Sequence, residues 1–144
     1  MAQVRKSVEA DQTDLATRLR KADQVELDAH NVTAELALGM GFTFSQPCLT
    51  IEHEDKPIGM FGVTPVDGAD EVGQVWLLGS DEINDIRYQF LRESKRWLKE
   101  ISNDYEMLCN VVHEGNTLHH RWLKFLGFSF LSHRRPFFEF ARFV

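Results

Sequence analysis

Cysteine is scarce in this sequence. Cys48 and Cys109 are the only two among 144 residues, far apart and outside any C-x-x-C or zinc-ligand spacing, so neither a disulfide framework nor a structural metal is indicated, and a reducing setting is expected. No stretch approaches the ~18 apolar residues that a membrane span needs, and the N-terminus shows no positively charged start followed by an apolar run. Secretion and membrane anchoring are therefore disfavoured. Lys and Arg are missing from the stretch that holds Asp67, Asp70, Glu71, Asp81, Glu82 and Asp85, which would repel phosphates. His113, His119 and His120 do not make an H-E-x-x-H pattern, and the adjacent His119 and His120 point to different sides of a helix, so no metal site is expected. Ser80 has no G-x-S-x-G context and reads as a helix cap. No repeat, linker or low-complexity segment is present.

What remains is an ordinary globular composition, with 43% apolar and 26% charged residues and a formal net charge of -6, in a chain of common single-domain size. Eleven Phe and three Trp imply an aromatic core. Arg121, Lys124, Arg134, Arg135 and Arg142 stand near the C-terminus against Glu139 alone. This reads as a solvated basic face rather than a nucleic-acid surface, although any anion contact would be sought there.

Periodicity supplies the elements. Val4 to Glu9 is a first strand, and Asp11, Thr13 and Asp14 offer caps for a helix from Asp11 to about His30, with Leu15, Leu19 and Ala22 on one face. Thr33 to Leu38 is a short second helix closed by Gly39 and Gly41. Cys48 to Glu52 and Ile58 to Val63 form a hairpin around Glu54-Asp55-Lys56-Pro57, Asp67 to Gly73 is a loop, and Gly73 to Leu78 is a central strand. Ser80 or Asp81 caps a helix to about Asn103, whose Ile83, Ile86, Phe90, Trp97, Leu98, Ile101 and Tyr105 make a core stripe rather than a base-stacking array. Met107 to Val112 is a buried strand. Asn116 caps a last helix with Leu118, Trp122 and Leu126 on one side and Gly127 at its end. Phe128 to Leu131 and Phe137 to Phe143 complete the chain. The expected fold is a single α/β (α+β) domain over residues 1–144, a mixed central sheet of six or seven strands with about four helices. Val75 to Val112 should form a parallel crossover whose open end is the place for a ligand.

This order resembles that of the GNAT N-acyltransferases (Gcn5-related N-acetyltransferases). The opening Val4-Arg5 with Asp11 six residues after the Arg is similar to the start of that family, as is the hairpin TIEHEDKPIGMFGV from Thr50. NTLHHRWLKFLGF from Asn116 to Phe128 resembles its pattern of Asn, an apolar-faced helix and Gly-Phe. GSDEINDIRYQFLRESKRWLKE followed by CNVVHEGNTLHHRWLKFLGF further resembles a GNAT-like family of internal virion proteins from short-tailed, podovirus-type bacteriophages. The resemblance implies a phage-encoded protein of the host cytoplasm and the virion, with phage or host proteins as partners. Apart from it, the Phe-rich final strand offers an edge for pairing between subunits in a homo-oligomer.

The same resemblance implies acetyl-CoA as cofactor, held by the backbone of Leu77, Leu78, Gly79 and Ser80 together with Asn116. Candidate general bases for an attacking amine are His113 and Glu114, with Glu52 and Glu54 on the hairpin as further candidates. Two departures count against activity. The loop Gly79-Ser80-Asp81-Glu82-Ile83-Asn84-Asp85 has one Gly and three carboxylates where the family places spaced glycines that approach the pyrophosphate. Leu123 stands where the family commonly places the Tyr that protonates the departing thiolate. The expected reading is thus a virion-associated or accessory protein with a degenerate acetyl-CoA site, the alternative being an active N-acetyltransferase for a primary amine.

Overall fold

The N-terminal turn explains the Val4-Arg5...Asp11 pattern. In the computed structural model, which describes residues 1–144, strand β1 (Gln3–Lys6) leads into helix α1 (Glu9–Leu15). Asp11, 3% exposed, accepts from Arg5 Nη1 and Nη2 at 2.8 and 2.9 Å, from the N–H of Val8 at 2.9 Å and from Thr50 Oγ1 at 2.9 Å. The carboxylate thus caps the helix that contains it and ties strand, helix and sheet together. Burial opposes its charge, yet Arg5, Val8 and Thr50 hold the Asp11 carboxyl below the usual value.

The single long helix expected to His30 is two, α1 and α2 (Lys21–Ala29). The break at residues 16–20 is tertiary in origin: Leu19 bridges Ser80, and the Arg20 N–H donates to the Gly79 carbonyl at 2.8 Å. Helix α3 (Ala34–Phe44) does not stop at Gly39 and Gly41. Gly41 is needed for room, because a Cβ there would collide with the Trp76 ring. That indole donates to Ser45 Oγ at 2.8 Å.

Strands β2 (Cys48–His53) and β3 (Lys56–Val66) form the expected hairpin, with Glu54 and Asp55 at φ 52 and 62 in the two-residue turn, as the twist of a hairpin demands. The expected loop at Asp67 to Gly73 is mostly strand, since β4 (Ala69–Gly79) starts immediately after a tight turn at Gly68. A 3-10 segment (Asp81–Ile86) precedes α4 (Arg87–Ile101). Then come β5 (Met107–His113), α5 (Thr117–Phe125), β6 (Ser129–Arg134) and β7 (Phe137–Phe143). On α5 the inward residues are Leu123 and Leu126, while Leu118 is 46% exposed, which corrects the expected stripe. Gly127 at φ 90 turns the chain out of that helix into β6, a conformation for which glycine carries no steric penalty.

The seven strands form one mixed sheet in the order β1-β2-β3-β4-β5-β7-β6. All neighbours are antiparallel except β4 and β5, which run parallel. One face carries the larger core with Phe61, Trp97 and Phe140, and the other carries a smaller core of Leu15, Leu19, Leu38, Met60 and Leu78 beneath α1 and α3.

Candidate active site

The parallel pair is short. β4 and β5 are in register only at Val72↔Met107, Gly73↔Leu108 and Gln74↔Cys109, although β4 continues to Gly79 and β5 to His113. Beyond the third pair the strands splay, and the gap widens into a cleft of about 670 Å³ whose walls include Leu77, Leu78, Val112, Trp122 and Leu123. This is the open end of the crossover, where α/β sheets bind ligands.

A strand that has lost its neighbour leaves main-chain groups without partners. Here side chains replace the missing strand. The Asn110 amide lies across the point of separation, donating to the Val75 carbonyl at 2.8 Å and accepting from the Val111 N–H at 2.8 Å. At the mouth, Asp23 Oδ2 accepts the Gly79 N–H at 3.0 Å, and Glu26 Oε1 accepts the His113 N–H at 2.6 Å. Three N–H groups along the splay, on Gly79, Val111 and His113, are thus bound within the chain.

Arg20 holds this arrangement together. Its guanidinium donates to Asp23 at 3.1 and 3.3 Å, to His119 Nε2 at 3.0 Å and to Asn116 Oδ1 at 3.5 Å. The Asn116 amide donates to Glu26 Oε2 at 3.5 Å. Asp23 is 0% exposed and Asn116 2%. Burial pushes the Glu26 carboxyl up to about 7, against the His113 N–H and with the charge of Asp23. Burial likewise pushes His119 down to about 4, in spite of Asp23. At neutral pH the imidazole is therefore uncharged and accepts from Arg20. Asp23, Glu26 and His119 lie close enough together to share a metal ion. The Arg20 guanidinium already binds both Asp23 and His119, supplying the positive charge that such a set would otherwise take from a cation.

The residues singled out in the sequence fall in several places. Leu77, Leu78, Gly79 and Ser80 lie along the β4 lip. Strand alternation turns the main-chain groups of Leu77 and Gly79 toward the gap. Those of Ser80 turn toward β3, its N–H donating to the Ile58 carbonyl at 2.9 Å, and Leu78 shares that side, paired with Met60. Asn116 does not cap α5 with its side chain. Its amide faces inward because Arg20 and Glu26 engage it. His113 and Glu114 stand at the end of β5, but the Glu114 carboxylate is bound by Arg135 at 3.0 Å and His133 at 2.7 Å. These two partners hold it near 2, which makes it a weak base. Glu52 pairs with Arg5 at 3.0 Å on β2, Glu54 is in the exposed turn, and neither lines the cleft. Leu123 lines the cleft, and no tyrosine does.

Arg20, Asp23, Glu26 and Asn110 carry no recognisable motif, and His119 stands out only within the His113, His119 and His120 group. The available signals were small: an Arg and two carboxylates at three-residue spacing on one helix face, and a single amide inside the otherwise apolar MLCNVVH strand.

The architecture is that of the GNAT fold. PaiA N-acetyltransferase from Thermoplasma acidophilum, solved in complex with coenzyme A, superposes with a TM-score of 0.70 at 13% identity, over 100% of this chain and 99% of that one. The ribosomal-protein-S18-alanine N-acetyltransferase from Escherichia coli gives 0.70 at 12% identity, over 99% and 94%. A GNAT-family acetyltransferase from Bacillus anthracis gives 0.68 at 11%, again over 99% and 94%. At such identities the likeness is one of fold. No individual curated protein matches the sequence. A family model does, over residues 59–134, more than half of the chain. By that match the chain belongs to the family described as bacteriophage T7, probable scaffold protein Gp13.

Proposed function

We propose that this chain is a phage-encoded accessory or virion-associated protein that retains a GNAT scaffold while its cofactor opening is held by its own side chains. The observation that carries the reading is the capture of the Gly79, Val111 and His113 N–H groups by Asp23, Asn110 and Glu26. Acetyl-CoA fits these residues poorly. Its carbonyls would need N–H donors that are already engaged, and its pyrophosphate would meet Asp81 and an Arg18–Glu82 pair at the start of the 3-10 segment rather than a free cradle. Membership of a scaffold-protein family agrees with a role in host cytoplasm and virion, through contacts with phage or host proteins.

A second reading, an acetyl-CoA-dependent N-acetyltransferase acting on a primary amine, draws on the coenzyme A complex of a structural neighbour and on Leu77, whose main chain still faces the gap. Calorimetric titration of the intact protein with acetyl-CoA separates the two. Silence up to millimolar concentration is the expected result, and micromolar binding would overturn the first reading. The virion role is checked by mass spectrometry of purified particles, where absence of the chain would remove it.

A further inference from the structure

Helix α3 is apolar nearly all round, with Glu35 its only charge. Its buried residues Leu38 and Gly41 face the sheet. Leu36, Met40 and Phe44, one stripe at four-residue spacing, are 54%, 51% and 56% exposed. An apolar helix surface of this kind is usually covered. Beside it the sheet is bare: α1 and α3 pack on β3, while Met107, Cys109 and Val111 of β5 remain only half-buried. The cleft opens along this trough past Met40, Phe44, Pro65 and Val66. Its charged lining is Glu26 and Asp67, with no Lys or Arg. His30 and His119 also line it, and burial lowers both. The trough is apolar, with Asp67 its exposed carboxylate and Glu26 already bound to the His113 N–H.

The opposite chemistry stands elsewhere on the same chain. Between Phe130 and Ser132 the β6–β7 ladder shifts register, and Leu131, the residue displaced, is 64% exposed. A bulge at a sheet edge re-aims a side chain in this way. The tip of the same hairpin carries Arg134 and Arg135, whose side chains are 83% and 79% exposed. The Arg134–Glu139 pair is a single surface contact at 3.4 Å, which contributes little, whereas Arg135 grips Glu114 through two hydrogen bonds.

We propose that the chain self-associates head to tail, with the β6–β7 tip of one copy entering the trough of the next. Leu131 packs on Met40 and Phe44, and the guanidinium of Arg134 faces Asp67, with Arg135 adding positive charge from its seat on Glu114. Donor and acceptor surfaces differ, so the contact is heterologous and builds a ring or an open chain rather than a simple symmetric pair. The inference goes beyond the reading of the cofactor opening and is independent of it, because its readout is mass and not ligand binding.

Sedimentation velocity across a concentration series tests it. Wild type is expected to grow in mass with concentration, and raised salt should weaken the association, since half of the contact is ionic. Met40→Glu and the double variant Arg134→Glu/Arg135→Glu should each weaken association at least tenfold, with circular dichroism verifying the fold. A charge swap supplies the decisive arm. Asp67→Arg mixed with the double arginine variant should associate, whereas each alone stays monomeric. A wild type that remains monomeric throughout, an association indifferent to these substitutions, or a swap that fails to restore it would each overturn the proposal.

Discussion

Of the arginine–carboxylate clusters in the first 26 residues, the two built on Asp11 and Asp23 do different work with the same parts. In the first, Asp11 takes Arg5 and the Val8 N–H, a donor that exists because a helix begins there. In the second, Asp23 takes Arg20 and the Gly79 N–H, a donor that exists because a strand has lost its neighbour. The first closes a helix end onto the sheet. The second lies across the gap between β4 and β5 in the middle of the sheet, where the proposed reading has it occupy the place of a ligand. The same chemistry serves a helix end in one place and a strand splay in the other, according to which backbone group was left unpaired.

The comparison can be broken or sharpened by substitution. Asp23→Ala should cost most, about 4 kcal/mol, because it strands a buried guanidinium and a buried N–H together. Urea denaturation measures it, and a loss below about 1 kcal/mol would show that the second cluster does not hold the fold. Asp11→Ala is expected to cost slightly less, about 3 kcal/mol, since Arg5 keeps Glu52 and partial access to water. Its signature is a lowered thermal midpoint without change at the cleft.

Glu26→Gln separates charge from packing. The folded protein holds the Glu26 proton up to about pH 7, against a usual 4.5. The folded state therefore binds more protons between those values, and this group makes stability fall as pH rises through that window. The variant should lose that fall, so the difference between the two proteins from pH 5 to pH 8 is about 2 kcal/mol. A pH-independent difference would mean that Glu26 is ionised throughout. Asn110→Ala should have the smallest effect, about 1 kcal/mol. Hydrogen exchange should then quicken at Val111, whereas unchanged protection there would mean that the amide does not bridge the splay.

Much of the fold was legible in the chain because its elements carry local signals. The α4 stripe of Phe90, Trp97, Leu98 and Ile101 is buried as its spacing implied, and Gly127 ends α5 as its place after Leu126 implied. The parallel step from β4 to β5 followed from strand, helix and strand in sequence. Errors gathered where a distant partner decided the outcome. The helix expected through residues 16–20 is broken by pairing with Gly79 and Ser80, and Gly39 and Gly41 do not end α3 because the second of them makes room for Trp76.

The candidate site was legible only in outline. Its location at the open end of the crossover follows from element order. Its occupants do not. Arg20, Asp23 and Glu26 look like any charged helix face until α2 is laid across the ends of β4 and β5.

Residue spacing by itself determined most of the elements and the presence of a parallel crossover, because periodic apolar burial and turn chemistry act over a few residues at a time. Only the tertiary structure decided how far β4 and β5 stay paired and which side chains satisfy the N–H groups beyond that point. The physical reason is that an unpaired backbone donor must find an acceptor in space, and proximity across 56 residues, as between Asp23 and Gly79, leaves no periodic trace in the chain.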